Sequence, residues 1–175
     1  MFIPSCAQTH LLLMTTLRTA TENDQPSILE IYNDAVLHLT ATFDEEPRSI
    51  EKQMEWFRKH GKRHPVLVSE ENGVITGWAS LSPWSDRCAY DSTVEISVYI
   101  HKEYRGKGLG RKLLEAVIEE GKKADNHTVI ARITTENEIS IRLHEKLGFK
   151  SIGTMKEVGY KFGRFLDVHM MQLMY

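Results

Sequence analysis

The sequence predicts one α/β domain, on three observations. Residues 93–114, TVEISVYIHKEYRGKGLGRKLL, pass from a period-2 run through a glycine-rich turn into a helical period, which is a strand feeding a helix. Strand-like and helix-like stretches alternate along the rest of the chain. The chain also has 175 residues and no internal repeat, low-complexity tract or linker, a length that buries a proper core in one unit.

Taken in order, residues 1–16 are read as an N-terminal extension and 17–175 as the domain. Leu11, Leu12, Leu13 and Met14 form an apolar patch far too short to span a bilayer, and no Lys or Arg precedes it as in a signal peptide. The extension is expected to be disordered or to reflect a start upstream of Met14, and no function is assigned to it. A short strand at 17–20 leads to Thr21-Glu22-Asn23-Asp24, rich in helix-capping residues. Ile28, Ile31, Ala35 and Leu39 then recur at helical spacing, with Pro26 tolerated in the first turn. Residues 40–47 form a loop whose one aromatic, Phe43, reads from spacing as a core plug. A second helix is predicted over 49–60 with Ile50, Met54 and Phe57 on one face. Strands at 65–70 and 74–81 join through Asn72-Gly73, a hairpin pair that tolerates positive φ. Residues 82–92 lack a regular period, and Trp84 and Tyr90 either line a pocket or pin the loop. After the central strand and a helix reaching about residue 123, a strand spans 128–134. Asn137 caps a helix that carries Ile141, Leu143, His144 and Leu147 and stops at Gly148. Strands at 152–158 and 165–173 close the domain.

The central strand carries two chemically different faces. Val94, Ile96, Val98 and Ile100 share one; Glu95, Ser97 and Tyr99 share the other. Behind it, Arg105-Gly106-Lys107-Gly108-Leu109-Gly110-Arg111 opens a helix with Leu109, Leu113, Ala116 and Val117 on its apolar side. Glycines let a ligand approach the backbone closely, and the free N–H groups at a helix start attract an anion. Arg105, Lys107 and Arg111 add positive charge, so the stretch reads as a phosphate cradle. A Walker loop requires Ser or Thr after its lysine, where Lys107 is followed by Gly108. The dinucleotide fingerprint fails in both registers, with Arg111 or Leu113 in place of its last glycine.

Composition narrows the partners. Apolar residues make up 41%, charged residues 26%, and the formal net charge is -2, so no basic field draws the chain to nucleic acid or anionic membrane. Cys6 and Cys88 make no disulfide framework and match no zinc spacing, although arithmetic allows a single pair; a reducing cytoplasm is expected. The eight histidines form no HxH or HExxH pattern, and no metal is predicted.

The Arg-x-x-Gly-x-Gly cradle between strand and helix resembles that of the GNAT acyltransferase superfamily. Three separated motifs resemble its phosphinothricin acetyltransferase branch, which also acetylates the α-amino group of methionine sulfone and methionine sulfoximine. They are Thr93-Val94-Glu95-x-Ser97-Val98-Tyr99, Asn137-x-x-Ser140-x-x-x-His144-Glu145-x-x-Gly148-Phe149, and Gly159-x-Lys161-x-Gly163-x-Phe165-x-Asp167-Val168. The resemblance implies a mixed, strongly twisted sheet whose two splayed strands admit acetyl-CoA. It implies that backbone groups of Val98, Tyr99 and Ile100 hold the pantetheine arm, that Gly106, Lys107, Gly108, Leu109, Gly110 and Arg111, with Arg105 before them, hold the pyrophosphate, and that Lys146 lies at a cofactor position. Glu95 matches the substrate ligand and general base. Asn137 lies near both substrates; Cys88, Ala89 and Tyr90 match a substrate-contacting segment and Phe43 a pocket aromatic. His144 falls beside the leaving sulfur, as an acid or as a helix-surface residue. Tyr99 reads as packing. The branch also implies a homodimer, with Met170, Met171 and Leu173 either at its interface or in the core.

The chemistry expected is attack of a free amine on the thioester, with a backbone N–H near residues 96–98 facing the oxyanion. Ser92 stands where the branch has an aromatic such as Tyr and Phe165 where it commonly has Trp, and Arg87 is the only cation in the 82–92 loop, so the substrate within this class stays open. A protein or peptide acetyltransferase and a non-catalytic acyl-CoA-binding module are the alternatives.

Overall fold

The computed structural model describes residues 15–175; the predicted N-terminal extension falls almost wholly outside them. Seven strands and four helices follow in the order β1 (Thr16–Thr19), α1 (Gln25–His38), α2 (Ile50–Arg58), β2 (Val66–Glu71), β3 (Val74–Pro83), β4 (Thr93–Ile100), α3 (Leu109–Lys123), β5 (Thr128–Thr134), α4 (Glu138–Lys146), β6 (Lys150–Lys161) and β7 (Arg164–Met174). The strands form one sheet in the order β1-β2-β3-β4-β5-β7-β6. Every neighbouring pair is antiparallel except β4 and β5.

Strand alternation builds a core on each face. Leu67, Ala79, Leu81, Val94, Ile96 and Val129 point to one face and pack on Leu113, Leu114 and Val117 of α3. Val66, Val68 and Trp78 point to the other and pack on Ile28, Ile31, Tyr32 and Val36 of α1. The hairpin at Asn72-Gly73 forms as expected, with φ of 51° and 79° at the two residues. Asn137 caps α4 by accepting from the Ser140 N–H at 3.2 Å, and Gly148 ends it at φ 94°.

Two expectations are corrected. The inner face of α2 is Gln53 with Trp56 and Phe57, whereas Ile50 is exposed. Gln53 is drawn inward by polar bonds: its amide donates to Gln25 Oε1 at 2.9 Å and its oxygen accepts from Arg48 at 3.0 Å. Burial of a glutamine is tolerated because both ends are satisfied. The last two strands are also longer than their apolar runs, because the exposed edge strand β6 follows β7 through bulges between Ser151/Gly153 and Met155/Gly159.

The start of α1 is tied by a buried carboxylate. Asp24 accepts from both terminal nitrogens of Arg18, each at 2.8 Å, and from the Thr21 N–H and hydroxyl. The Arg18 bonds outweigh burial and hold the Asp24 carboxyl at about 2, below its ordinary 3.8. A lowered folded-state pKa adds stability that is present above 3.8 and is lost as pH falls through about 2. Asp24→Asn is expected to cost about 2 kcal/mol at neutral pH. In urea titrations its stability should converge with that of the wild-type chain near pH 2; a constant gap across that range would contradict the assignment.

Candidate active site

The parallel pair β4 and β5 is joined only at Thr93↔Thr128, Val94↔Val129 and Glu95↔Ile130. Beyond Glu95 the strands part. Strand β5 continues against β7 as far as Thr134↔Val168, and β4 continues against β3 as far as Ile100↔Gly77. The β4 edge from Ile96 to Ile100 therefore has no strand partner on the β5 side, which leaves the backbone groups of Ile96 and Val98 open to a ligand, whereas the Ile100 carbonyl accepts from Arg105. Val98, Tyr99 and Ile100, the residues expected to hold an extended arm, lie on this stretch of β4.

The wedge leads to the glycine loop. Gly106 and Gly108 have φ of 78° and 79°, and a Cβ at either would have nothing within 4 Å. The turn thus needs glycine for its backbone and leaves open space in front of it. Gly108 is the N-cap of the fifteen-residue helix α3, with no side-chain cap, so the first N–H groups, at Leu109, Gly110 and Arg111, await an acceptor. The three cations differ. Arg105 donates to the Ile100 carbonyl at 3.1 Å and to Asp34 of α1 at 3.0 Å. Lys107 rests 4.6 Å over the Tyr104 ring and Arg111 pairs with Glu115 at 2.8 Å. Both are exposed contacts worth a few tenths of a kcal/mol, readily exchanged for phosphate. Lys146 is exposed on the last turn of α4.

A cleft of about 800 Å³ opens at the fork. Glu95 and Ser97, Ser80 and Ser82, Asn137, His144 and Phe43 all line it. Glu95 sits at the last paired position, and its carboxylate accepts two bonds from Arg132 of β5, at 2.6 and 2.7 Å. Asn137 uses its oxygen in the α4 cap, which leaves its amide N–H groups toward the cleft. His144 is buried, at 3% exposure, which rules out the helix-surface reading. Its Nδ1 lies 2.8 Å from the Ser140 carbonyl, which accepts and so assigns the proton to Nδ1. Burial lowers its pKa, so the neutral ring presents a lone pair at Nε2. In this state His144 accepts a proton and does not supply one. In the cleft lining Trp78 Nε1 and Ser80 Oγ have no partner among the described residues, which costs about 1–3 kcal/mol each unless water or ligand bonds them.

Phe43 corrects the core-plug reading: it is 39% exposed and forms cleft wall. Its loop is strapped from several sides. The buried Lys161 ammonium donates to the Leu39 and Thr42 carbonyls at 3.0 and 2.6 Å, and burial lowers its pKa. The Tyr99 hydroxyl donates to Ala41 at 3.2 Å, and Thr40 donates to Glu136 at 2.7 Å. Tyr99 packs as expected, stacked on Trp78 at 4.8 Å. Cys88, Ala89 and Tyr90 form an exposed 3-10 turn and are not among the residues lining the cleft. Trp84 lies outside the lining too, with its ring 5.9 Å from the Arg132 guanidinium. Sequence reasoning missed Arg132 and the Lys161 strap; the one signal was a charge within otherwise regular strand alternation.

Among the described residues no group of three or more His, Cys, Asp and Glu is placed to hold a metal ion, and no helix is long and apolar enough to cross a membrane.

A parallel pair that forks at a carboxylate, beside an uncapped glycine-rich helix start, is the frame of an acyltransferase that draws its acyl group from a phosphate-bearing thioester. The profile described as "Acetyltransferase (GNAT) family" matches residues 27–149. The L-methionine sulfoximine/L-methionine sulfone acetyltransferase of Salmonella typhimurium is 45% identical over 159 residues, covering 90% of this chain and 93% of that one. A GNAT superfamily phosphinothricin acetyltransferase from Sinorhizobium meliloti, solved in complex with acetyl-CoA, superposes with TM-score 0.87 at 38% identity, covering 91% of this chain and 88% of that one. A ribosomal-protein-alanine N-acetyltransferase from Brucella melitensis gives TM-score 0.89 at 40% identity, covering 91% and 99%. The chain belongs to the acetyltransferase (GNAT) family, and is an N-acetyltransferase similar to the amino-acid and phosphinothricin type.

Proposed function

We infer that the chain transfers the acetyl group of acetyl-CoA to the α-amino group of a small amino acid or analogue of the methionine sulfoximine, methionine sulfone or phosphinothricin type. The observation that carries this reading is the position of Glu95, a carboxylate at the fork of β4 and β5, inside a cleft walled by Phe43. An α-ammonium cannot attack until it loses a proton. Glu95 accepts that proton, directly or through water, and the amine nitrogen bonds to the thioester carbon. The carbonyl oxygen becomes anionic and meets a backbone N–H on the free β4 edge. The C–S bond then breaks, CoA leaves as the thiolate, and the nitrogen gives its second proton to that thiolate or to the lone pair at Nε2 of His144.

Gly159 keeps Phe43 in place, because a Cβ there would overlap the Phe43 ring. Gly159→Ala is expected to raise KM for the amine about tenfold while KM for acetyl-CoA stays constant. Steady-state kinetics with each substrate varied in turn decides this, and equal rises in both would contradict it.

Two further properties belong to this reading. The enzyme works as a homodimer, built on the β6–β7 hairpin, where Ile152, Val158, Tyr160, Phe162 and Phe165 are each more than half exposed. Phe165→Asp should then shift the mass seen by light scattering from dimer to monomer. It works in the cytoplasm, in keeping with an exposed Cys88 thiol that has no disulfide partner among the described residues.

The test is CoA release from acetyl-CoA with methionine sulfone, methionine sulfoximine, phosphinothricin, the standard amino acids, spermidine and a peptide with N-terminal alanine. Turnover of the first three above the rest is expected. Turnover of the peptide alone would move the assignment to a protein substrate.

A further inference from the structure

Arg132 is bonded to the carboxylate proposed as base, and it is used by nothing described so far. Its Nε and a terminal nitrogen meet the two oxygens of Glu95 at 2.6 and 2.7 Å, the parallel fork by which a guanidinium binds a carboxylate. The arginine side chain is 52% exposed and Glu95 20%, so within the cleft lining the arginine is the more solvent-facing partner. The other cations that could serve are engaged. Arg48 is bonded to Gln53, lies 4.3 Å over the Tyr32 ring and pairs with Asp44 at 3.5 Å. Lys161 is held by two carbonyls, and Arg87 is exposed and absent from the cleft lining.

We propose that Arg132 is the anchor for the substrate's α-carboxylate, exchanging Glu95 for it when the amino acid enters. This rests on the reading of the chain as an amino-acid N-acetyltransferase and names the group that enforces it. A zwitterion placed between Glu95 and Arg132 replaces one ion pair by two, ammonium on Glu95 and carboxylate on Arg132, and no charge is left without a partner. The carboxylate fits the same fork, with the Trp84 ring beside the guanidinium. An amine without a carboxylate offers Arg132 nothing. The arginine stays on Glu95, the amine must compete with it for the base, and such amines are excluded. Selection for α-amino acids thus comes from a contact that the wrong substrate fails to release.

The experiment compares methionine sulfone, its methyl ester and its decarboxylated amine as acceptors for the wild-type chain, Arg132→Met and Arg132→Lys. The wild-type chain should prefer the acid over both uncharged relatives. Arg132→Met should raise KM for the acid about thirtyfold, the loss of one charge-assisted fork, with most of the effect in KM rather than kcat. It should also leave the decarboxylated amine as good a substrate as before or better, so that the preference collapses. Arg132→Lys, a point charge without the fork, should fall between. Acetyl-CoA affinity reports that each variant is folded, and the ester arm on the wild-type chain stands if a variant is not. Unchanged discrimination in Arg132→Met, or equal use of acid and ester by the wild-type chain, overturns the anchor alone. No turnover of any amino acid by the wild-type chain overturns the anchor together with the reading beneath it.

Discussion

Glu95→Gln lowers kcat for the amine substrate by about 10²–10⁴-fold, the range of a single positioned general base, while the dissociation constant for acetyl-CoA stays within twofold or so of wild type. The substitution keeps the shape and one acceptor oxygen, so the β4–β5 fork should persist. The amide cannot take up a proton, and the acceptor then enters mostly as ammonium, which has no lone pair to attack with. Loss should therefore appear in kcat and not in donor binding. The uncharged amide also ceases to hold Arg132 by charge, which offsets the lost ammonium–Glu95 pair, so KM for an amino-acid acceptor should change less than kcat. Single-turnover kinetics with acetyl-CoA prebound isolates the step. A rate within threefold or so of wild type would remove Glu95 as base and make water or Nε2 of His144 the acceptor.

The second large effect is at the phosphate cradle. Gly108→Val is expected to weaken CoA binding about a hundredfold. Gly108 has φ of 79° and is the first residue of the α3 start. A non-glycine residue held there costs about 1–2 kcal/mol, and a β-branched one more. The relaxed backbone re-aims the N–H groups that face the pyrophosphate, and the new methyls occupy the open space in front of them. Titration calorimetry with CoA measures the loss, and thermal melting the strain. Gly61→Ala, at ordinary φ and facing open space, is the control and should change neither. Undiminished CoA affinity in Gly108→Val would mean that the pyrophosphate lies elsewhere.

Much of the site was legible because it is local. Alternation along β4 put Glu95 on the face opposite Val94 and Ile96, and the positive φ of Gly106 and Gly108 follows from glycines in a strand-to-helix turn. Asn137 and Gly148 bracket α4 by backbone rules that act within a few residues. What stayed hidden depends on partners far apart in sequence. Arg105 pairs with Asp34 of α1, 71 residues away, a contact that no local rule predicts. Phe43 looks like core until Lys161, about 120 residues on, holds its loop upright over the cleft. Cys88, Ala89 and Tyr90 align with a substrate segment, and whether their exposed turn meets the cleft lining is set by how the whole sheet is assembled.

By itself, then, the sequence determined the elements, the two faces of β4 and the glycine cradle, since period, capping and φ preference are properties of neighbouring residues. The tertiary structure alone decided that β7 inserts between β5 and β6, that β4 and β5 part just past Glu95, and that the carboxylate at the fork meets Arg132 from the next strand. Strand pairing and ion pairing are settled by which distant segments bury each other, and no local rule encodes that choice.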